Sequence, residues 1–340
     1  MSARRWAIGF ASTAVMIVAA PASGQTRAGE VVLDTVNAST PVSAYGGVAV
    51  WSAFDAASKT YQLRAYRDGQ VSDVPVPPRH SPFDADVGPD ATGRPVVVYS
   101  RCRVDQTGGL FFNELPEWGF ARGCDIHRFR FADGTDRTLA AARSKVRSEV
   151  TPSIWGSHLA YFAVGEPRHG PRSTTARLDL ADLSGKQHTR RYRGGDGRKL
   201  DRFAGKVSDG PSPTSLDLRR TTMTYGWSNL ETCPQGEGDS SGEAQAAQIW
   251  RQSSTRRKRL ASECQGLGVF GPFFDADAIR WVAPQPLHAT ALKSSIAGHD
   301  IPLPAYTVGA ALDGPNLIVA RGTETGPTQI VSLPVPSAGP

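Results

Sequence analysis

The segment Gly156-Ser157-His158-Leu159-Ala160-Tyr161 belongs to a pattern that recurs six times along the chain and decides the fold. Each copy combines a turn with a short strand that carries an aromatic residue in all copies but the last. The other copies are Gly46-Gly47-Val48-Ala49-Val50-Trp51, Gly93-Arg94-Pro95-Val96-Val97-Val98-Tyr99, Arg220-Thr221-Thr222-Met223-Thr224-Tyr225, Ala276-Asp277-Ala278-Ile279-Arg280-Trp281 and Gly314-Pro315-Asn316-Leu317-Ile318-Val319. We call the last residue of each copy its anchor. Such self-similarity predicts a repeated supersecondary unit.

Each unit is predicted to hold four short antiparallel strands. Seven residues before the anchor an apolar residue recurs (Ile154, Leu218, Phe274, Leu312), with Ala44 in the first copy and one extra turn residue expected in the second. A second hairpin follows each anchor, at about Leu63, Ile126, Leu178, Ile249, Leu292 and Ile330. A four-stranded sheet cannot bury both of its faces alone, so stacking six sheets around an axis is the economical solution.

The sequence therefore predicts an all-β protein, a six-bladed β-propeller with blades at about 41–84, 85–149, 150–210, 211–269, 270–308 and 309–336. The sixth copy lacks one strand, and residues 31–36 precede the first copy and belong to none. That spare strand is expected to complete the last blade and close the ring, which removes exposed sheet edges. Two packed β-sandwiches are the alternative.

Composition agrees with this architecture. Gly and Pro, 35 and 25 of 340 residues, interrupt nearly every window that could form a long amphipathic helix. With 39% hydrophobic and 21% charged residues, the chain fits neither wholesale disorder nor a polytopic membrane protein. We predict a single propeller domain over residues 25–340.

Residues 1–24 have the features of a secretory signal peptide. Arg4 and Arg5 precede an apolar stretch that ends at Ala20-Pro21-Ala22, so cleavage is expected after Ala22 or Gly24. The mature chain is then expected to be periplasmic or extracellular, with no membrane span. Cleavage removes two of 38 basic residues and none of 32 acidic ones. The remaining net charge of about +4 is too small to indicate a nucleic-acid partner.

The repeats resemble the TolB-like six-bladed propeller family and related WD40-type repeats. The resemblance rests on residues 152–161, on Pro89-Asp90-Ala91-Thr92-Gly93 before the second anchor, and on the stretch from Ile126 to Leu139. It covers roughly residues 40–336 and implies an exported scaffold that binds proteins or envelope components through one face. The α/β domain that precedes the propeller in the family is not expected here, so the family's envelope-coupling role is not carried over.

Two long connections are expected on one face of the propeller. The spacing from anchor to second hairpin is 12, 27, 17, 24, 11 and 11 residues, and this link emerges on the same face in every blade. Export allows the four cysteines to form disulfides, and three pairings are possible. The repeat favours Cys102 with Cys124, which bracket the first long connection. It also favours Cys233 with Cys264, because Cys233 opens the second long connection and Cys264 follows the last strand of that blade, which returns to the same face.

The first long connection is rich in aromatic residues. Phe111, Phe112, Trp118 and Phe120 lie between Gly108 and Phe120. They either pack onto the propeller and plug its axial channel, or remain on the rim as anchors for a partner. These four residues are the candidate binding residues.

No catalytic or metal-binding constellation is predicted. Residues 238–242 match the spacing of a nucleophile elbow but lack the strand-to-helix context. Asp84, Asp86 and Asp90 do not keep the spacing of a calcium loop and are interpreted as surface turn acids. No Cys-x-x-Cys pair exists and the seven His residues are scattered, which argues against zinc. No cofactor is expected.

The sequence therefore favours a monomeric, non-enzymatic scaffold for a protein or cell-envelope ligand. The alternative is a hydrolase or lyase that acts on a sugar polymer or lactone at the channel mouth.

Overall fold

The computed structural model describes residues 29–37, 40–103, 123–144, 147–165, 176–184, 189–193, 212–232, 243–264, 270–276, 278–284, 290–322 and 327–335. In this part of the chain the structure is almost entirely β, and a single 3-10 turn lies at Ala140–Ala142. Six four-stranded antiparallel sheets form the six blades of a β-propeller. The predicted fold class is confirmed.

The strands follow the chain order within each blade. Blade 1 contains β2 (Val42–Tyr45), β3 (Val48–Asp55), β4 (Thr60–Arg67) and β5 (Gln70–Asp73). Blade 2 contains β6 (Asp86–Pro89), β7 (Pro95–Arg101), β8 (Asp125–Arg130) and β9 (Thr135–Thr138). Blade 3 contains β10 (Arg147–Trp155), β11 (His158–Gly165), β12 (Ala176–Asp182) and β13 (Thr189–Arg193).

The second half of the ring repeats this order. Blade 4 contains β14 (Ser212–Arg219), β15 (Thr222–Thr232), β16 (Glu243–Gln252) and β17 (Arg257–Cys264). Blade 5 contains β18 (Phe270–Asp275), β19 (Ala278–Pro284), β20 (Thr290–Ser294) and β21 (Ile301–Leu303). Blade 6 contains β22 (Thr307–Asp313), β23 (Asn316–Arg321), β24 (Thr328–Pro334) and β1 (Val31–Val36).

The N-terminal strand closes the ring as predicted. β1 pairs antiparallel with β24, from Val31 opposite Ser332 to Val36 opposite Thr328. Side chains reinforce the closure on both sides. Arg321 of blade 6 donates to Glu30 at 2.8 Å. On the blade 1 side, Asp34 accepts a hydrogen bond from Trp51 Nε1 at 2.8 Å and forms an ion pair with Arg64 at 3.0 Å.

The core lies between adjacent blades. All six anchors sit in second strands and are at most 8% exposed: Trp51, Tyr99, Tyr161, Tyr225, Trp281 and Val319. The six residues predicted to mark the second hairpins lie in third strands and are completely buried: Leu63, Ile126, Leu178, Ile249, Leu292 and Ile330. Full burial of such a side chain contributes about 1.5–3 kcal/mol, so the repeated apolar positions hold the blades together.

The propeller has two faces. We call the face with the turns between first and second strands the turn face. The opposite face, which carries the connections between second and third strands and between blades, is called the loop face. The first strands line the central axis.

Blade 2 departs from the predicted turn length. Seven residues separate the paired Gly88 and Val96, where two separate the equivalent Tyr45 and Val48 of blade 1. The prediction of one extra residue is therefore wrong, since the difference is five. Asp90 stabilises the longer turn by accepting hydrogen bonds from Thr92 N at 2.8 Å and Arg94 N at 3.1 Å.

Candidate functional site

The disulfide at the loop face is the first element of the candidate site. Cys102 follows β7, Cys124 precedes β8, and the two form a disulfide as the repeat predicts. Their connection, 104–122, holds Phe111, Phe112, Trp118 and Phe120, which lie outside the described residues. Their role stays a prediction.

The second cysteine pair also stays a prediction. Cys264 is the last residue of β17, whereas Cys233 lies outside the described part of the chain. Asn229 of β15 and Cys264 of β17 both pair with Ala246 of β16, and β15 continues to Thr232 opposite Glu243. The nucleophile-elbow match at 238–242 falls outside the described residues as well.

The disulfide is fixed to the border of blades 2 and 3. Glu149 of β10 donates its backbone N–H to Cys124 O at 2.9 Å, and Cys124 is 1% exposed. The Glu149 side chain is buried here. Burial raises its pKa to about 8, and the nearby negative charge of Asp125 adds to this shift. The base of the 104–122 connection is therefore a buried, ordered part of the propeller.

The axial channel is the second element. A cavity of about 450 Å³ runs along the first strands of all six blades. This volume falls within the range of small-ligand pockets. Most of the cavity wall is apolar, with Pro, Val, Ala, Leu and Phe side chains, and most of the polar exceptions lie on blades 1 to 4.

Four side chains at one register position form a polar belt around the channel. Ser43, Asp86, Ser153 and Asp217 each pair with the residue directly before the anchor of their blade. The corresponding residues of blades 5 and 6 are Phe273 and Ala311. The belt therefore covers four blades and ends at the fifth.

Each belt residue is bonded to the next blade. Hydrogen bonds run from Val87 N to Ser43 Oγ (2.9 Å), Ile154 N to Asp86 Oδ2 (3.1 Å), Leu218 N to Ser153 Oγ (2.8 Å) and Phe274 N to Asp217 Oδ2 (2.6 Å). Hydroxyl groups link the carboxylates as well. Ser43 Oγ and Ser153 Oγ donate to Asp86 at 2.7 and 2.8 Å, and Ser153 Oγ lies 3.5 Å from Asp217 Oδ1. The belt ties consecutive blades together at the axis.

The two belt carboxyls favour protonation. Burial raises the pKa of Asp86, and burial together with the charge of Asp86 raises the pKa of Asp217 to about 8. Asp84 lies two residues before Asp86 and has different hydrogen-bond and ion-pair partners. It accepts from Thr151 N at 2.7 Å and Ser100 N at 3.0 Å and pairs with Arg79 at 3.3 Å.

These contacts correct the sequence interpretation of the acids. Asp84 and Asp86 are 5% and 8% exposed and lie in the wall of the channel, so they are not surface turn acids. Asp90 does lie in a turn, but it is also only 8% exposed. Within the described residues, no group of three or more His, Cys, Asp or Glu side chains is placed to hold a metal ion.

The belt had a sequence signal that was missed. Ser43, Ser153 and Asp217 each directly precede the recurrent apolar position, eight residues before the anchor. Asp86 does not share this spacing, because the longer turn of blade 2 places it thirteen residues before its anchor.

No protein-family model and no curated protein sequence matches this chain. Solved structures do resemble it. TolB from Acinetobacter baumannii is 14% identical over 85% of this chain, with a TM-score of 0.47, and this chain spans 64% of its length. An Aleuria aurantia lectin is 11% identical (90% of this chain, 99% of the lectin, TM-score 0.48). An α-L-arabinofuranosidase from Fusarium graminearum is 8% identical (88% and 97%, TM-score 0.48). At these identities and TM-scores the similarities assign no function.

None of the helical segments in the described residues is long and apolar enough to cross a membrane.

Proposed function

We propose that the mature chain is an exported, TolB-like, monomeric binding scaffold without enzymatic activity, and that its loop face binds a protein or a cell-envelope ligand. The observation that carries the proposal is the Cys102–Cys124 disulfide. Such cross-links persist in oxidising compartments outside the cytosol, which supports export. It closes the base of a connection that holds three Phe and one Trp.

A braced aromatic connection suits binding. Aromatic side chains are enriched among the residues that dominate interface energies. Fixing both ends of their connection lowers the conformational entropy that binding would otherwise cost. The burial of Cys124 and its backbone bond to Glu149 hold that base against blades 2 and 3.

The state of the channel carboxylates supports a scaffold rather than an enzyme. Asp84, Asp86 and Asp217 all accept backbone N–H groups from the following blade. A carboxylate engaged in this way stabilises the ring, and moving it toward a substrate would leave buried donors unsatisfied.

The test uses a variant in which Phe111, Phe112, Trp118 and Phe120 are all changed to Ser. The matched control replaces residues 166–175, the equivalent connection of blade 3, with a Gly-Ser stretch of equal length. Binding of both purified mature proteins to isolated cell envelopes is measured by sedimentation, and bound proteins are identified after cross-linking. We expect the aromatic variant alone to lose binding. Equal binding by the variant and the wild type would refute the loop-face site.

Export is tested separately on the protein recovered from cell fractions. We expect the N-terminus of the exported form to follow Ala22 or Gly24 and the thiols to resist alkylation until they are reduced. An unprocessed cytosolic form with reactive thiols would contradict the proposed localisation.

One observation favours the second candidate, a hydrolase or lyase that acts on a sugar polymer or lactone. A carboxyl with a pKa of about 8 keeps its proton at neutral pH, as a general acid must, and Asp217 has this property next to a second carboxyl. The test is turnover of acidic and neutral polysaccharides and lactones by wild type and Asp217→Asn. Turnover that the substitution abolishes, in a variant that still folds, would establish the enzyme.

A further inference from the structure

The turn-face end of the channel carries a ring of six equivalent positions. Each pairs with the residue three before the anchor of its blade. In blade order these positions hold Tyr45, Gly88, Trp155, Arg219, Asp275 and Asp313. The first five line the cavity, so they form its mouth on the face opposite the disulfide.

Two aromatic rings meet across this mouth. Tyr45 of blade 1 and Trp155 of blade 3 have ring centroids 5.7 Å apart and are nearly perpendicular, at 76°. Gly88 of the intervening blade packs closely against the backbone of blade 3. A Cβ at Gly88 would lie 2.0 Å from the Ile154 carbonyl oxygen. Both rings are half-buried, which leaves part of their surface accessible.

The mouth also carries a positively charged side chain, Arg219. The Arg219 guanidinium lies 5.7 Å from the Trp155 ring and donates to the Ala276 carbonyl oxygen. Among the residues that the structure describes, Arg219 has no carboxylate within ion-pair distance. The carboxylate next to it in the ring, Asp275, is taken by Arg280 at 2.5 Å.

The remaining acid of the ring is engaged as well. Asp313 accepts the backbone N–H of Gly47 at 2.9 and 3.0 Å. Asp313 does not line the cavity, so Arg219 is the charged group of the cavity mouth that has no ion-pair partner among the described residues. A guanidinium next to an aromatic surface is suited to a carboxylate, which it can bind through two parallel hydrogen bonds.

Deeper in the channel the polar groups are mainly acceptors. Ser43, Asp86 and Asp217 present hydroxyl and carboxyl oxygens, and Asp217 Oδ1 has only a long 3.5 Å contact with Ser153 Oγ. Such a group retains the capacity to accept a hydrogen bond. The hydroxyl groups of a ligand complement such carboxyls, because a hydroxyl can donate to a carboxyl oxygen and can also accept from a protonated one.

We propose that this mouth binds a small acidic sugar, a single sugar ring that carries one carboxylate. The carboxylate binds to Arg219, one face of the ring packs against Tyr45 and Trp155, and hydroxyl groups point inward to Asp217. This site is separate from the loop face, so its failure would leave the proposed scaffold function untouched.

The experiment is calorimetric titration of the mature protein with three probes: D-glucuronate, neutral D-glucose and benzoate. We expect glucuronate to bind at least about tenfold more tightly than glucose, because a charge-assisted bond is worth more than one factor of ten. Benzoate has the charge without the hydroxyl groups, and it should also bind at least about tenfold more weakly.

Variants locate the site. Arg219→Gln should bind glucuronate no better than glucose. Arg220→Gln removes the same charge from the neighbouring, exposed turn residue and should behave as wild type. Tyr45→Leu should weaken glucuronate and glucose alike, and it provides a second test if Arg219→Gln does not fold. Thermal unfolding of each variant establishes that it is folded.

Four outcomes would overturn the proposal. They are no binding of glucuronate, equal affinity for glucuronate and glucose, benzoate binding as tightly as glucuronate, or an equal loss of affinity in Arg220→Gln.

Discussion

Replacing Asp217 by Asn should make the propeller more resistant to alkaline conditions. The carboxyl of Asp217 lies in the channel wall, accepts the backbone N–H of Phe274 at 2.6 Å and lies beside Asp86. Asn has nearly the same shape and keeps an oxygen that can accept this hydrogen bond, but it cannot ionise. The substitution therefore isolates the effect of the charge.

The sign follows from proton linkage. The pKa of Asp217 is raised from 3.8 to about 8. Between these values the folded protein holds a proton that the unfolded chain has released, so the free energy of unfolding falls as pH rises. The contribution is present in full below about pH 4 and lost as pH passes 8. At roughly 1.4 kcal/mol per pKa unit, the largest possible loss is roughly 6 kcal/mol.

The observed loss should be smaller because Asp217 touches the channel and because Asp86 titrates with it. We expect the stability advantage of Asp217→Asn over the wild type to grow by about 2–4 kcal/mol between pH 5 and pH 9. Urea unfolding of the disulfide-intact protein, followed by tryptophan fluorescence across this pH range, measures the difference.

The matched control is Asp68→Asn, which removes an exposed carboxylate from the β4–β5 turn. Its stability should follow the wild-type pH profile. If Asp217→Asn loses stability with pH as steeply as the wild type, or is the weaker of the two at pH 9, then Asp217 is ionised in the folded protein and the reasoning is wrong.

Three further variants and one control, Asp73→Ala, test the ring and its braces by urea unfolding. Changing Cys102 and Cys124 together to Ser removes a cross-link with a sequence separation of 22 and should cost about 3 kcal/mol, whereas equal stability under non-reducing conditions would contradict the bond. Asp34→Ala removes the carboxylate that ties the closing strand to blade 1 and should cost about 1.5–3 kcal/mol. Asp73→Ala removes the other carboxylate partner of Arg64, which is 60% exposed, and should cost under about 1 kcal/mol. Equal losses in Asp34→Ala and Asp73→Ala would show that the bond to the closing strand has no special importance for stability. Gly88→Ala should destabilise by more than about 2 kcal/mol, because its Cβ would overlap a backbone oxygen of the next blade, and a neutral result would mean that the blades move apart easily.

The architecture was predictable because it depends on local, repeated signals. An aromatic anchor on the second strand and an apolar residue on the third are all that a blade needs for its core, and both recur along the chain. The closing strand could be predicted by counting, since the sixth unit was one strand short and residues 31–36 supplied it. These arguments need no knowledge of which blades touch.

The channel could not be predicted in the same way. Asp86 and Asp217 are 131 positions apart and interact only after the ring has closed. An isolated Asp in a sequence is more typical of a turn or a surface position than of a buried wall. For this reason the sequence interpretation of Asp84 and Asp86 as surface turn acids was wrong. Tyr45 and Trp155 meet across an intervening blade, and Gly88 of that blade lies so close to Ile154 of blade 3 that a Cβ would not fit. Sequence periodicity carries no information about such contacts.

The uneven distribution of the belt gives the channel two different sides. Ser43, Asp86 and Asp217 of blades 1, 2 and 4 line the cavity, whereas blades 5 and 6 present Phe273 and Ala311 at the same level. The belt residues link blades 1 to 5 through hydrogen bonds, and the wall formed by blades 5 and 6 is mainly apolar at this level. A ligand that fits this channel therefore needs a polar edge and an apolar face, and a sugar ring has both. A uniformly apolar ligand would desolvate the carboxyl oxygens of the belt without replacing their hydrogen bonds with water.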